Sequence, residues 1–482
     1  MNLYTTLPGL KTAPLALAAL VLSACSLMPS YERPPLPVAS SWPEATATAA
    51  GTPATSKAQD IQWQDFFQDE GLKRAISLAL EGNRDLRVAI INIERARALY
   101  QVQAADRLPT VSAGASGARQ QVPDSLAPGG HGGISSSYSA GLGVTAFELD
   151  LFGRVRSMSQ AALNRYVATE EDRRGAQISL IAEVAALYES TLADGRLLAL
   201  GQQTLASRTE SYQRQLQLHE QGASSEYDLR QSESLFEAAK IAVAQQTRQR
   251  AQDENALALL LGRPLPADLL PPVTAAWDSR IMRDIPAGLP SDLIATRPDI
   301  RRQEALLRSA NANIGVARAA FFPRISLTGT IGTSSSELSG LFDTGSRAWS
   351  FLPQVSLPIF DGGRNRANLG VAKADREIAI AQYDKTIQVA FREVADGLAG
   401  QATLSEELRA VNAQETAEQV RFRLAGARYE GGQASFLEYL DAQRSLFTVQ
   451  QQAIRTRLAE LQNRIGLYKA LGGGWSTEQP AA

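Results

Sequence analysis

The chain repeats itself, and the repeat limits the possible folds more than any other feature. Asn83-Arg84-Asp85-Leu86-Arg87 returns as Arg297-Pro298-Asp299-Ile300-Arg301, and the stretch from Ala105 to Ser112 returns as Ala319 to Ser326, both at an offset of 214 residues. Gly153-Arg154-Val155-Arg156 then matches Gly363-Arg364-Asn365-Arg366, Glu183-Val184-Ala185 matches Glu393-Val394-Ala395, Gly222 matches Gly432, and Leu261-Gly262 matches Leu471-Gly472, all at an offset of 210. The offset changes once, between Ser112 and Gly153, so the second copy is four residues shorter there. Constant offsets over such a span imply two tandem copies of one structural unit. They are placed at 67–270 and 291–475, with a linker over 271–290 and a tail over 476–482.

Each copy changes character in the same order. A helical segment comes first, about 70–106 and 291–321. A strand–loop–strand region follows, with strands expected near 109–117 and 138–152 in the first copy and 323–333 and 349–360 in the second. Tyr138, Ala140, Leu142 and Val144 alternate with Ser139, Gly141, Gly143 and Thr145, the period of a strand with one apolar face. Trp349, Phe351, Val355, Leu357 and Ile359 do the same against Ser350, Gln354 and Ser356. The loop of the first copy is rich in turn formers, Pro128-Gly129-Gly130-His131-Gly132-Gly133.

Very long helical stretches come last. No proline lies between Pro128 and Pro264 or between Pro358 and Pro480, and both stretches are rich in Ala, Leu, Gln, Glu and Arg. Each is broken near its middle by one glycine turn, Gln221 to Ser225 and Gly431 to Ser435, and reads as a helical hairpin. An arm from Gly153 to His219 would be about 100 Å long at 1.5 Å per residue, so coiled-coil-like lateral packing is expected.

The N-terminus reads as an address. A short apolar run from Ala13 to Leu22 follows the lone basic Lys11 and ends in Leu22-Ser23-Ala24-Cys25. Small residues directly before a cysteine match the bacterial lipobox, so 1–24 is expected to be a lipoprotein signal peptide and 25–66 an acylated extended segment. Cys25 is the only cysteine, which rules out disulfides within the chain, and Ser26 rather than aspartate after it favours the outer membrane. A formal net charge of -2 gives no basic footprint for nucleic acid.

No stretch after the signal reaches the roughly 20 apolar residues of a membrane helix, so any crossing must use strands. Four strands per chain cannot close a barrel, and open edges are not tolerated in lipid. The edges must therefore pair with other copies: three chains give twelve strands and two give eight.

Four motifs carry a family resemblance: Glu148-Leu149-Asp150-Leu151-Phe152-Gly153-Arg154, Ala317-Arg318-Ala319-Ala320-Phe321-Phe322-Pro323, Leu440-Asp441-Ala442-Gln443-Arg444-Ser445-Leu446-Phe447, and Leu467 to Trp475 (LYKALGGGW). In this order and spacing the chain resembles the outer-membrane efflux lipoproteins of the OprM and OprJ type, distant relatives of TolC. The resemblance implies a mainly α fold with membrane β, the TolC-like channel-tunnel, in which a homotrimer forms a 12-stranded β-barrel and a 12-helix α-barrel. It also implies a periplasmic adaptor and an inner-membrane RND transporter as partners, alongside outer-membrane lipids. The expected cofactor is none, apart from N-palmitoyl and S-diacylglycerol groups on Cys25.

No catalytic set is visible. His131 and His219 lack metal-ligand spacing, and Gly472-Gly473-Gly474 lacks the Lys-Ser/Thr of a phosphate loop and suits a helix end instead. Glu438 and Asp441 are three residues apart and share one helix face, which by itself describes a solvated acidic surface. The resemblance implies more. Leu437 matches an apolar constriction and Asp441 an aspartate ring at a periplasmic gate, and Tyr429 and Asp228 match inter-helix contacts that hold the tip closed. Tyr227 and Glu438, beside these positions, are counted with them as candidate residues of the periplasmic gate. Ala434 stands where TolC places a gate arginine, so a closing salt bridge of that kind is either absent or uses another cation, Arg230 or Arg444. Gly222 and Gly432 suit tight turns, and in the family the adaptor docks at these turns. The competing readings are a periplasmic adaptor lipoprotein, a general diffusion porin, and a duct for metal or protein export. The duplication argues against the adaptor, the four strands against the porin, and the four methionines and two histidines lend no support to metal export.

Overall fold

A computed structural model describes residues 26–42, 61–126, 132–275, 277, 282, 293 and 297–474. Cys25, the signal sequence, His131 and most of the linker lie outside the described residues. The elements in order are α1 (Trp63–Phe66), α2 (Glu70–Gly82), α3 (Arg84–Ala105), β1 (Val111–Val122), β2 (Gly133–Leu149), α4 (Arg154–Glu220), α5 (Glu226–Leu261), α6 (Pro298–Ala319), β3 (Arg324–Ser335), β4 (Arg347–Ser356), α7 (Arg364–Glu430) and α8 (Phe436–Ala470). The chain divides into two compact units. One comprises 1–35, 93–169 and 303–383, the other 36–92, 170–302 and 384–482, so that α3, α4, α6 and α7 each contribute to both.

The first unit holds a four-stranded antiparallel sheet in the order β1-β2-β3-β4. Ala115 pairs with Ala140, Gly141 with Gly332, and Thr330 with Ser350. The register puts Val111, Leu142, Val144, Ile331, Trp349 and Phe351 on one face and Ser112, Ser116, Ser139, Thr330 and Ser350 on the other. Hydroxyls on the second face bond across strands, Ser116 to Ser139 at 2.8 Å and Thr330 to Ser350 at 2.6 Å. A bulge in β2 between Val144 and Phe147, with Ala146 at φ 50°, shifts the parity by one. An extra residue in one strand exchanges the faces beyond it, and here it returns Phe147 and Leu149 to the apolar side. At that end of the sheet Glu148 accepts from Arg154 at 2.7 Å and pairs with Arg324 at 2.5 Å.

The strand limits differ from the sequence expectation. β1 runs on to Val122 and β2 begins at Gly133, because twelve consecutive residue pairs form where the polar flanks read as loop. β4 stops at Ser356, just ahead of Pro358, so Leu357–Phe360 is not strand, and Ile359 and Phe360 stand 88% and 92% exposed.

The same unit carries the chain just after the expected lipid site. Leu27 and Pro29 accept hydrogen bonds from Arg318 at 3.2 Å and Asn311 at 2.8 Å on α6. Arg33 grips Glu304 at 2.9 Å, and Tyr31 donates to the same carboxylate at 3.1 Å. Burial pushes the Glu304 carboxyl up, but Arg33 and Arg308 outweigh it and hold it below the usual range. Gly315 makes room for the segment, since a Cβ there would come 3.0 Å from Met28 and 2.6 Å from the Ser157 hydroxyl. The expected extended segment over 25–66 nevertheless closes on one helical turn, α1.

The second unit is helical around a core of Phe66, Phe67, Leu72, Tyr188, Leu257 and Tyr468, with neighbours from α8. Tyr468 stacks on Phe66 at 4.1 Å and donates to the Ile61 carbonyl at 2.7 Å. The single helix expected over 70–106 is two. Asn83 turns extended after α2, and its side chain then caps α3 by accepting from Leu86 N at 2.9 Å. Gly262 ends α5 in the left-handed region at φ 67°, packed so closely on Gly82 that neither position has space for a Cβ.

Candidate functional site at the hairpin turns

The two helical hairpins, α4–α5 and α7–α8, turn in the second unit by the same device. In the first, Gly222 sits at φ 72°, its N–H reaches His219 O at 2.9 Å, and Ala223 N reaches Leu218 O at 2.8 Å. In the second, Gly432 sits at φ 71°, with Gly432 N to Tyr429 O at 3.0 Å and Gln433 N to Arg428 O at 2.8 Å. Both are Schellman ends, in which a left-handed residue lets two trailing N–H groups satisfy orphan carbonyls. Each returning helix is then capped by serine: Ser225 accepts from Asp228 N at 3.1 Å and Ser435 from Glu438 N at 3.2 Å. A Cβ at either glycine would meet nothing within 4 Å, so the turn backbone is open to an approaching partner.

The second hairpin carries a line of ion pairs. Asp441 is held between Arg421 at 2.7 Å and Arg444 at 2.6 Å, and Arg421 also pairs with Glu418 at 3.2 Å. The hydrogen bond from Arg421, with help from Arg444, keeps the Asp441 carboxyl below the usual range. Glu438 pairs with Arg428 at 2.5 Å. The cation on Asp441 is thus Arg444 together with Arg421, which the sequence reading did not name. Arg230 is engaged by Glu233 and Glu226 on its own helix. Exposed pairs of this kind contribute about 0.2–1 kcal/mol each, enough to orient side chains but little for stability.

Tyr429 joins an aromatic cluster with Phe436 at 5.5 Å and Tyr439 at 5.7 Å, and Tyr439 packs on Phe422 at 5.4 Å. The Tyr429 hydroxyl accepts from Gln215 of the first hairpin at 3.4 Å, and Gln215 accepts from Ser224 at 2.8 Å. Within a protomer Tyr429 thus touches the first hairpin through the buried Gln215. Asp228 does not meet it, because the Asp228 carboxylate is taken by the Ser225 hydroxyl at 2.7 Å. Leu437 and Tyr227 point outward, 53% and 71% exposed, so an apolar constriction cannot form within one protomer. Among the described residues no group of three or more acidic, His or Cys residues has the placement to hold a metal ion.

Two long helical hairpins joined to an antiparallel sheet define a TolC-like outer-membrane channel, and no described helix is long and apolar enough to cross a membrane itself. The chain belongs to the family described as outer membrane efflux protein, which matches it twice, over 75–263 and 289–473. It is 47% identical to the solvent efflux pump outer membrane protein SrpC of Pseudomonas putida over 470 residues, 97% of this chain and 99% of that one. It is also 47% identical to the outer membrane protein OprJ of Pseudomonas aeruginosa over 459 residues, 95% of each. Among solved structures, a membrane protein from Pseudomonas aeruginosa superposes with a TM-score of 0.87 at 46% identity, covering 95% of this chain and 99% of that one. The open state of the MtrE outer membrane channel of Neisseria gonorrhoeae gives 0.83 at 40% identity, covering 93% and 98%. The protein is an efflux channel of the outer membrane, and the adaptor reading falls.

Proposed function

We propose that three copies of this chain form the passive exit duct of a tripartite RND-type pump, anchored by N-palmitoyl and S-diacylglycerol groups on Cys25 and opened by a periplasmic adaptor. Relatives are named for solvent, toluene and antibiotic efflux, and we carry that substrate class, small lipophilic and antibiotic molecules, to this duct. The observation that carries the reading is the sheet. It has one apolar and one hydroxyl face, and among the described residues its outer strands β1 and β4 are each paired on one side only. Such a sheet is viable in lipid only when further copies complete the hydrogen bonding. Threefold repetition would make rings of Leu437 and Asp441, an apolar constriction beside carboxylates. The inner-membrane transporter supplies the energy, and the duct hydrolyses nothing.

The test is single-channel conductance of purified protein in a planar bilayer, wild type beside Leu437→Ala with Asp441→Ala. Conductance is expected to be low in the wild type and to rise severalfold in the double variant. A high wild-type conductance unchanged by the substitutions would remove these residues from the gate. No conductance from folded protein of either form would overturn the duct.

A further inference from the structure

The contact between the two hairpins buries a cation that has no counter-charge among the described residues. Arg208 of α4 is 5% exposed. One guanidinium nitrogen donates to the Leu235 carbonyl of α5 at 3.0 Å, the group lies 5.4 Å from the Phe447 ring of α8, and Nε has no hydrogen-bond partner among the described residues. Carboxylates of the surrounding turns are engaged elsewhere: Glu210 with Arg214, Glu233 with Arg230, Glu237 with Lys240, and Asp441 with Arg421 and Arg444. Burial alone acts on its ionisation, and lowers it. Beside it, Gln443 of α8 is 6% exposed, donates to Ser207 at 3.0 Å and has a side-chain carbonyl oxygen with no partner among the described residues. Two buried polar atoms in one helix contact, Arg208 Nε and Gln443 Oε1, therefore lack partners among the described residues. The matching position of the second copy, 210 residues on, is Glu418, whose charge Arg421 answers at 3.2 Å.

A buried ion without a partner is costly, and replacing buried charge by an apolar side chain of similar volume commonly stabilises a fold. A buried carbonyl without a donor carries a similar, smaller penalty. Both penalties vanish when water reaches the groups. We propose that Arg208, with Gln443, is a positioning residue for opening: its unpaired charge weakens the packed contact between α4 and α8. The packed and separated arrangements of the hairpins are thereby kept close in free energy, and modest differential binding by a partner at the turns can shift the population. The inference rests on the reading of the hairpin tip as a gate.

The full-length protein in planar bilayers tests it, with Arg208→Met, Arg208→Lys and Gln443→Leu. Arg208→Met is expected to make openings at least about tenfold rarer, to leave the conductance of each opening unchanged, and to raise the unfolding temperature. Arg208→Lys, which keeps the buried charge, is expected to open at least as often as wild type. Gln443→Leu is expected to move in the direction of Arg208→Met by a smaller factor. Openings of Arg208→Met as frequent as wild type, or more frequent, would overturn the proposal and make Arg208 a latch. Failure of both neutral variants to fold would overturn it too, since the proposal requires their substitution to relieve a penalty rather than create one. Failure of the gate reading appears separately, as unchanged conductance in the Leu437 and Asp441 double variant.

Discussion

Glu189 shows how a single buried group sets the response of the helical unit to pH. It is fully buried on α4, accepts from the Trp277 indole at 2.7 Å, and has a second oxygen without a partner among the described residues. Burial pushes its carboxyl up to about 7 from 4.5, and Asp69 adds to the shift. Arg196 stacks over Trp277 at 4.7 Å and lowers the shift only in part. Between pH 4.5 and 7 the folded protein holds a proton that the unfolded chain has released, so this group makes stability fall as pH rises through that window and level off above it. Glu189→Gln keeps an acceptor for Trp277 and removes the titration. At pH 8 it is expected to stabilise the solubilised protein by at most on the order of 3 kcal/mol, with no difference near pH 4. Thermal unfolding across pH 4 to 8 reads this directly, and equal slopes in both proteins would refute it. Neither Glu189 nor Arg208 stands out in the sequence, because a charged residue in a long helix rich in Glu and Arg reads as surface until the neighbouring helices are in place.

At the scale of elements, one carboxylate gathers the side chains of the N-terminal strap. Glu304 gathers Arg33, Tyr31 and Arg308. Glu304→Ala leaves Arg33 and the Tyr31 hydroxyl without their acceptor and is expected to expose the strap to chymotrypsin at Tyr31 at least severalfold faster, while the sheet and α6 stay folded. Unchanged cleavage would mean that the backbone bonds to Asn311 and Arg318 suffice. The hairpin turns make a second case. Gly222→Trp or Gly432→Trp has room in the protomer but a strained φ, so Gly→Asn, which tolerates that region, is the control. Folded protein is expected from both, with loss of drug resistance in cells only for tryptophan. Normal export by the tryptophan variants would remove these turns as the adaptor's docking site. Where hydrophobic period is strong the sequence suffices, as for the two turns and the long proline-free helices. It fails where identity comes from pairing. Arg119 and Gln120 read as loop yet face Ser136 and Ser135 in the sheet. Arg421 meets Asp441 because two helices cross twenty residues apart in sequence, which no local pattern encodes.

For the whole molecule, the proposed number of copies rests on what the sheet must enclose. Eight strands, from two chains, give a barrel whose interior side chains fill. Twelve, from three, leave space for a solute to pass, and the hydroxyl face built from Ser112, Ser116, Ser139 and Thr330 is suited to water. The bulge at Ala146 matters because without it Phe147 and Leu149 would turn to the hydroxyl face and Glu148 to the apolar one. Mass measurement of the solubilised protein is expected to return three protomers, and two would exclude an open duct. The assignment of faces has its own test. Leu142→Arg puts a charge on the lipid side, costing about 2–4 kcal/mol near the bilayer midplane, and is expected to cut the amount assembled in the outer membrane sharply. Ser139→Arg, three residues away on the other face, is expected to assemble normally and to reduce conductance, because its side chain enters the passage. Equal assembly of both would mean that the apolar face does not meet lipid, and a Ser139→Arg protein that fails to assemble while Leu142→Arg succeeds would reverse the sheet.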